Sequence, residues 1–303
     1  MAATMITRAN AEALIDMQVR NEIIDGIVRE SKALRLLTRL SDMTSNKTKL
    51  RILDALGTAY WVDGEVNNGR KGVTNMAWAN KYINAEELAV IVPIKEDVLA
   101  DASFDIWGEV KKRAVEMFGK KIDQAIFFGT NKPSGFRQGL VPSIVAATKQ
   151  IAKTSNLYSD IDKAMAKVEE SGYIPNKIAG PVAMRSKFRN LLDTTGQPIV
   201  GTEIGELVKD AVIVDNGAWD SSVASLIVGD FKQAVYAIRQ DITYKILDQA
   251  IIQDPETGDQ LYNLAQEDMV ALRITMRLGW EIPNPVNALD DTATRFPFAS
   301  VGA

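Results

Sequence analysis

The chain has 303 residues, of which 46% are hydrophobic and 24% charged, and a formal net charge of −4 at pH 7. That length can bury the core of one large domain or two of ordinary size, and the balance is that of a globular chain rather than a disordered or membrane-embedded one. Cysteine and histidine are both absent, which excludes disulfides, thiolate nucleophiles, Ser-His-Asp and Cys-His catalysis, and zinc sites built on Cys or His.

The net negative charge limits any contact with nucleic acid to a local basic surface. The longest apolar run, Leu88 to Ile94, is far too short to span a bilayer, and the first twenty residues carry no apolar signal-peptide core. No cofactor, metal site or membrane partner is expected, and the chain is expected to work in a cytosol.

Residues 11 to 40 read as helix, with Leu14, Met17, Ile24, Ile27 and Val28 near helical spacing and a second piece following Ser31. Between Arg29 and Arg51 seven Lys/Arg stand against two Asp/Glu. Lys32, Arg35, Arg39, Lys47, Lys49 and Arg51 make this a basic arm in an acidic protein. Such a run either coats a solvated face or makes electrostatic contacts to a neighbour or to DNA.

From Ala59 the pattern turns extended. Ala59-Tyr-Trp-Val leads into the turn-rich Asn67, Asn68, Gly69, Arg70, Lys71 and Gly72, and an extended return runs through Trp78, Tyr82 and Ile83 to Val92. Asn and Gly tolerate the left-handed backbone of tight reversals, so this reads as a long hairpin. A lone two-stranded hairpin is marginal in water. One carrying Trp61, Val73, Met76 and Trp78 therefore rests on its own domain or on a neighbouring subunit.

The strongest helix runs from about Ser103 to Phe128. Phe104, Trp107, Ala114, Phe118, Ile122 and Ala125 recur at three- and four-residue steps, while Glu109, Lys112, Arg113, Glu116, Lys120 and Asp123 cover the other faces. Asp101 or Ser103 can cap its start and Gly129 can end it; its length would be about 40 Å. The following Gly129-Thr-Asn-Lys-Pro-Ser-Gly135 lacks the Gly-Lys-Ser/Thr ending of a phosphate loop and follows a helix, so it is a turn.

Residues 157 to 172 form another amphipathic helix closed by Gly172, and short strands and helices alternate to about Leu247. Asp254-Pro-Glu-Thr-Gly-Asp259 lacks the spacing and distal glutamate of a calcium loop and reads as a surface turn. Val270, Leu272, Ile274 and Met276 alternate with Ala271, Arg273, Thr275 and Arg277, the period of a half-buried strand. A second strand from Trp280 towards Val286 is expected to follow Leu278-Gly279. The fold class is α+β.

Three stretches in this order resemble the Hong Kong 97-type phage capsid family. The first runs from Ala59-Tyr-Trp-Val-Asp-Gly-Glu65 through Val92-Pro-Ile-Lys-Glu-Asp-Val-Leu-Ala-Asp101 to Asp123-Gln-Ala-Ile-Phe-Phe-Gly129 and Pro133-Ser-Gly135. The second is Leu226-Ile-Val-Gly-Asp-Phe231 with Ala234-Val-Tyr-Ala-Ile-Arg239, and the third is Ala271-Leu-Arg-Ile-Thr-Met-Arg-Leu-Gly-Trp280 with Pro285-Val-Asn-Ala288. The resemblance implies a Hong Kong 97-like fold with an N-terminal arm at 1–57 and an extended loop at 58–94. It places a peripheral domain with a long spine helix at 95–150 and 262–303, and an axial domain at 151–261.

It further implies a major capsid protein, without enzymatic activity, that assembles with itself into hexamers and pentamers of an icosahedral head shell around double-stranded DNA. The DNA would be touched only weakly, and a portal and a decoration protein would join the virion. The family's large N-terminal scaffolding segment has no counterpart in this sequence, and a chain starting Met-Ala-Ala is expected to use a separate scaffolding protein in the host cytoplasm. The alternative of the same fold is an encapsulin-type bacterial compartment, towards which an apolar cargo groove would point. The alternative from another class is a carboxylate enzyme using Glu65, Glu86 or Glu96.

Some relatives weld their shells by an isopeptide bond between a loop lysine and an asparagine of a neighbour. Lys71 and Asn284 or Asn287 lie in the corresponding parts of the chain, but the family's glutamate has no counterpart after them; only Asp290 and Asp291 follow. No crosslink is expected.

Overall fold

The described residues begin with a helix cap at Ser31. In the computed structural model, which describes residues 31–57, 59, 61–62, 71–101, 105–192, 195–197, 203–287, 289 and 294–303, Ser31 Oγ accepts from Leu34 N at the start of the short helix α1 (Lys32–Leu36). The expected helix over 11–40 therefore lies outside the described residues up to 30, and stops at Leu36. Beyond it Thr38–Arg39 (β1) pairs in parallel with β9 (Val235–Leu247). The pairing across nearly two hundred residues overrides the local helical spacing of Leu34, Leu37 and Leu40.

The hairpin also differs from its sequence reading. Its strands are β2 (Lys47–Ala55) and β3 (Ala77–Asn84), antiparallel, with Lys47 opposite Asn84 and Leu53 opposite Trp78. The first strand thus comes from the basic arm instead of starting at Ala59. The stretch expected to complete the hairpin's return is β4 (Glu86–Lys95), which leaves it to pair with β12 (Met269–Glu281) in another sheet. The signal for β2 was in plain view: Thr48, Leu50 and Ile52 alternate with Lys47, Lys49 and Arg51, which is strand periodicity as much as a charge run.

After the short helix α2 (Glu96–Asp101), the spine helix α3 spans Ile106–Phe127. Asp105, rather than Asp101 or Ser103, caps it, accepting from Gly108 N at 3.0 Å; Ser103 lies outside the described residues. Gly129 at φ 69° follows its end. At 22 residues it is about 33 Å long, shorter than expected because the cap is later.

Strand order β1-β9-β12-β4 makes one sheet. α3 lies on it, with Phe118, Ile122 and Ile126 in one buried cluster with Ile238, Leu272, Ile274, Met276 and Trp280. β12 runs unbroken through Gly279 to Glu281, so the expected separate strand from Trp280 is its continuation. A side chain at Gly279 would collide with the Asn84 carbonyl and with Ile83. The glycine is needed because the end of β3 crosses β12 there.

A second sheet has order β5-β13-β8-β6-β7, with β5 Gln150–Ile151, β6 Lys177–Pro181, β7 Val212–Val214, β8 Leu226–Gly229 and β13 Phe298–Val301. Around it lie α4 (Leu140–Ala146), α5 (Leu157–Glu169), α6 (Met184–Arg189) and α7 (Glu203–Lys209). Ile227 and Phe298 face the α3 core, whereas Leu226, Val228, Ala299 and Val301 face a second core with Ile161, Met165 and Val168 of α5. Burial on both faces explains the unbroken apolar run Leu226-Ile-Val.

β9, inside 151–261, joins the α3 sheet, and β13, inside 262–303, is inserted beside β5 and β8. The acidic turn 254–259 closes the small hairpin of β10 (Ile251–Gln253) and β11 (Gln260–Asn263), with Asp254 accepting from the amides of Glu256 and Thr257. No described helix is long and apolar enough to cross a membrane.

Candidate assembly surface

The hairpin is fastened at its base and bare at its far end. At the base Ile83 is fully buried and packs with Met43, Val235 and Ala237, and Leu50 packs against them. Lys81 Nζ donates to the Ile282 carbonyl at 3.1 Å, and Val286 N donates to the Leu53 carbonyl at 3.0 Å. Beyond Leu53 the apolar side chains lose this support: Trp61 is 99%, Val73 89%, Trp78 66% and Met76 52% exposed in the single chain. Leaving such surface in water costs about 25 cal/mol per Å². So much apolar surface left bare on one element is uncommon in a monomeric globular protein.

The six residues of the basic arm fall on three separate elements, α1, β1 and β2. Lys32 Nζ pairs with Asp215 at 3.2 Å, and Arg39 with its near neighbour Asp42 at 3.0 Å. Arg35 is exposed at the end of α1. Lys47, Lys49 and Arg51 alternate along β2 and project on the exposed face of the hairpin, beside Tyr82, Asn80 and Trp78 of β3. Lys47 Nζ sits 4.2 Å from the centre of the Tyr82 ring, a cation–π contact. The hairpin therefore has one exposed face that is both basic and aromatic, running outward from its base.

The residues considered for a crosslink lie apart in role. Lys71 is exposed near the hairpin tip. Asn284 is built into the chain's return: it accepts from Tyr173 Oη at 2.9 Å, and its amide donates to the Arg295 carbonyl at 2.7 Å. Asn287 donates to the Ser171 carbonyl at 2.8 Å and accepts from Leu289 N. Both amides are engaged in holding the last loop. Of the three glutamates weighed for catalysis, Glu65 lies outside the described residues, and Glu86 and Glu96 flank the two ends of β4, about 30 Å apart along an extended strand.

One group missed in the sequence is Asp123, which the helical pattern puts on the polar side of α3. It is fully buried. Its carboxylate accepts from Ser31 Oγ at 2.6 Å, Lys32 N and Ala33 N at 3.0 Å each, and Asn216 Nδ2 at 2.7 Å. Burial nevertheless pushes its pKa above the ordinary carboxylate value, against the lowering pull of those four bonds. This carboxylate clamps residues 31–33 to the spine helix. Only the pairing of Ser31 with an acid ninety positions away would have revealed it.

A family model described as the phage capsid family matches residues 11–289. The chain belongs to that family. The major capsid protein of Staphylococcus phage 80alpha is 28% identical over 263 residues, covering 86% of this chain and 79% of that one. A solved structure from Microbacterium phage Oxtober96 superimposes with a TM-score of 0.77 at 33% identity, covering 98% of this capsid protein and 99% of the other. One from Mycobacterium phage Cain gives 0.79 at 31% identity, with 98% of each covered. This is a tailed-phage major capsid protein with the Hong Kong 97-like α+β fold, a structural component of the virion shell that associates with its own kind.

Proposed function

We propose that this capsid protein assembles into hexamers and pentamers that close an icosahedral head around double-stranded phage DNA, in the host cytoplasm, without catalysing a reaction. The observation that carries this reading is the hairpin: its base is packed at home, while Trp61, Val73, Met76 and Trp78 present exposed apolar surface suited to a partner. A second copy suits that role, since closed rings repeat one modest heterologous contact many times. On this reading β2–β3 and the residues between them are the extended loop, the α3 sheet is the peripheral unit, and the five-stranded sheet is the axial unit. A separate scaffolding protein, a portal and a decoration protein complete the set of partners. The phage origin of the relatives supports a DNA container over an enzyme-filled compartment.

The test is sedimentation and negative-stain microscopy of the full chain expressed with and without its scaffold. Closed shells of uniform size are expected. A chain that stays monomeric under every condition would overturn the reading.

A further inference from the structure

The fold gathers basic residues from four separate elements around one open cleft of about 780 Å³. Lys32 and Arg35 come from α1, Lys177 from β6, Arg185 and Arg189 from α6, and Lys209 from the end of α7. Among the described residues only two carboxylates line the same cleft, and each is already paired: Asp215 with Lys32 at 3.2 Å and Asp210 with Lys177 at 2.9 Å. Arg35, Arg185, Arg189 and Lys209 have no ion pair or side-chain hydrogen bond among the described residues.

Four cations with no partner among the described residues converge on a cleft in a chain whose net charge is −4. Like charges held together repel, so the arrangement is stable only with counter-ions or a polyanion in place. Arg185 and Arg189 are one helical turn apart on the same face of α6, about 6 Å along the axis. Guanidinium groups present planar forks suited to phosphate oxygens.

We propose that this cleft is where the capsid protein meets the sugar–phosphate backbone of packaged duplex DNA. The inference rests on the reading of the chain as a DNA container, because that supplies the polyanion. An acidic protein segment is the competing occupant. DNA is favoured because these four cations offer dispersed charge with, among the described residues, no buried unsatisfied hydrogen-bonding side chain lining the cleft to read a particular peptide, as sequence-independent backbone contact requires. Contact through a few cations in an acidic protein is weak and salt-sensitive, which lets the genome enter and leave.

Fluorescence anisotropy of a labelled 20-base-pair duplex with the unassembled full chain, between about 50 and 200 mM salt, tests this directly. With four phosphates neutralised, the slope of log K against log salt should be about −3 to −4. Arg185→Gln/Arg189→Gln should reduce its magnitude by about 2 and weaken binding about tenfold or more at the lowest salt. The hairpin variant Lys47→Gln/Lys49→Gln/Arg51→Gln should bind like the parent. All substituted side chains are exposed, and matching circular dichroism and melting curves would establish that the variants are folded. No binding by the parent at the lowest salt, or equal binding by the α6 variant, would overturn the proposal. So would an α6 variant that binds DNA normally but no longer assembles, which would give the cleft to a protein. The binding assay needs no particles, so failure of the shell reading would show separately, as a chain that never assembles.

Discussion

Ser31 Oγ donates to Asp123 Oδ1 at 2.6 Å, so the residue that caps α1 is also held by the C-terminal part of α3. Two functions meet in one hydroxyl: it accepts from Leu34 N at 3.2 Å and donates to the buried carboxylate. The amides of Lys32 and Ala33 complete the bond set from the same helix N-terminus, where a negative charge is favoured by the helix dipole.

Replacing that acceptor should loosen the arm. Hydrogen bonds to a charged group contribute roughly 1.5–3 kcal/mol each, and they do not add simply within one network. Asp123→Ala is expected to cost about 3 kcal/mol or more, measured by urea unfolding, and to expose residues 31–37 to proteolysis before the rest of the chain.

The same carboxyl sets a pH dependence with a definite sign. Burial raises its folded pKa above the ordinary 3.8, so in that window the folded chain keeps a proton that the unfolded chain has lost. Its contribution is fully present below about 3.8 and declines as pH rises through the folded value. The stability of the parent minus that of Asp123→Asn should therefore fall with rising pH across this window and then level off. A difference that grows with pH would show that the four bonds outweigh burial.

Trp78 is 66% exposed in the single chain. Trp78→Ala should thus change the stability of the free subunit by no more than about 0.5 kcal/mol. Burial of one large side chain on a partner contributes about 1.5–3 kcal/mol, so the concentration needed for assembly should rise tenfold or more. Hydrogen exchange of residues 71–76 should be fast in free subunits and slow in shells; equal protection in both would remove the assembly role of the hairpin.

Gly279 reports on the opposite end of the hairpin. A methyl group there meets the Asn84 carbonyl and Ile83, and neither backbone strand can give way freely. Gly279→Ala should cost about 1–3 kcal/mol by overpacking and raise exchange at Tyr82 to Asn84, read by mass spectrometry of the free subunit.

Mature particles should run as single chains on a denaturing gel. Asn284 and Asn287 already spend their amides on Arg295 and Ser171, and a covalent ladder would require both Lys71 and one of these to leave its present place.

The sequence by itself determined what is periodic or forbidden. The apolar steps of Ala114, Phe118 and Ile122 declare α3, the alternation from Val270 to Arg277 declares β12, Gly129 marks a helix end, and the missing cysteines and histidines remove whole classes of chemistry. These are local properties, fixed by the 3.6- and 2-residue repeats of the backbone. Only the tertiary structure decided which strand pairs with β3, because Lys47–Ala55 and the stretch after Ala59 both carry extended signals, and the choice depends on burying Leu50 and Ile83 over β9 and β12. It also decided that Asp123 points inward, since its partners Ser31 and Asn216 come from distant segments. And it decided that Lys32 and Arg35 part from Lys47, Lys49 and Arg51 to join Arg185, Arg189 and Lys209, because charge along a chain says nothing of charge around a cleft until long-range pairing has brought the segments together.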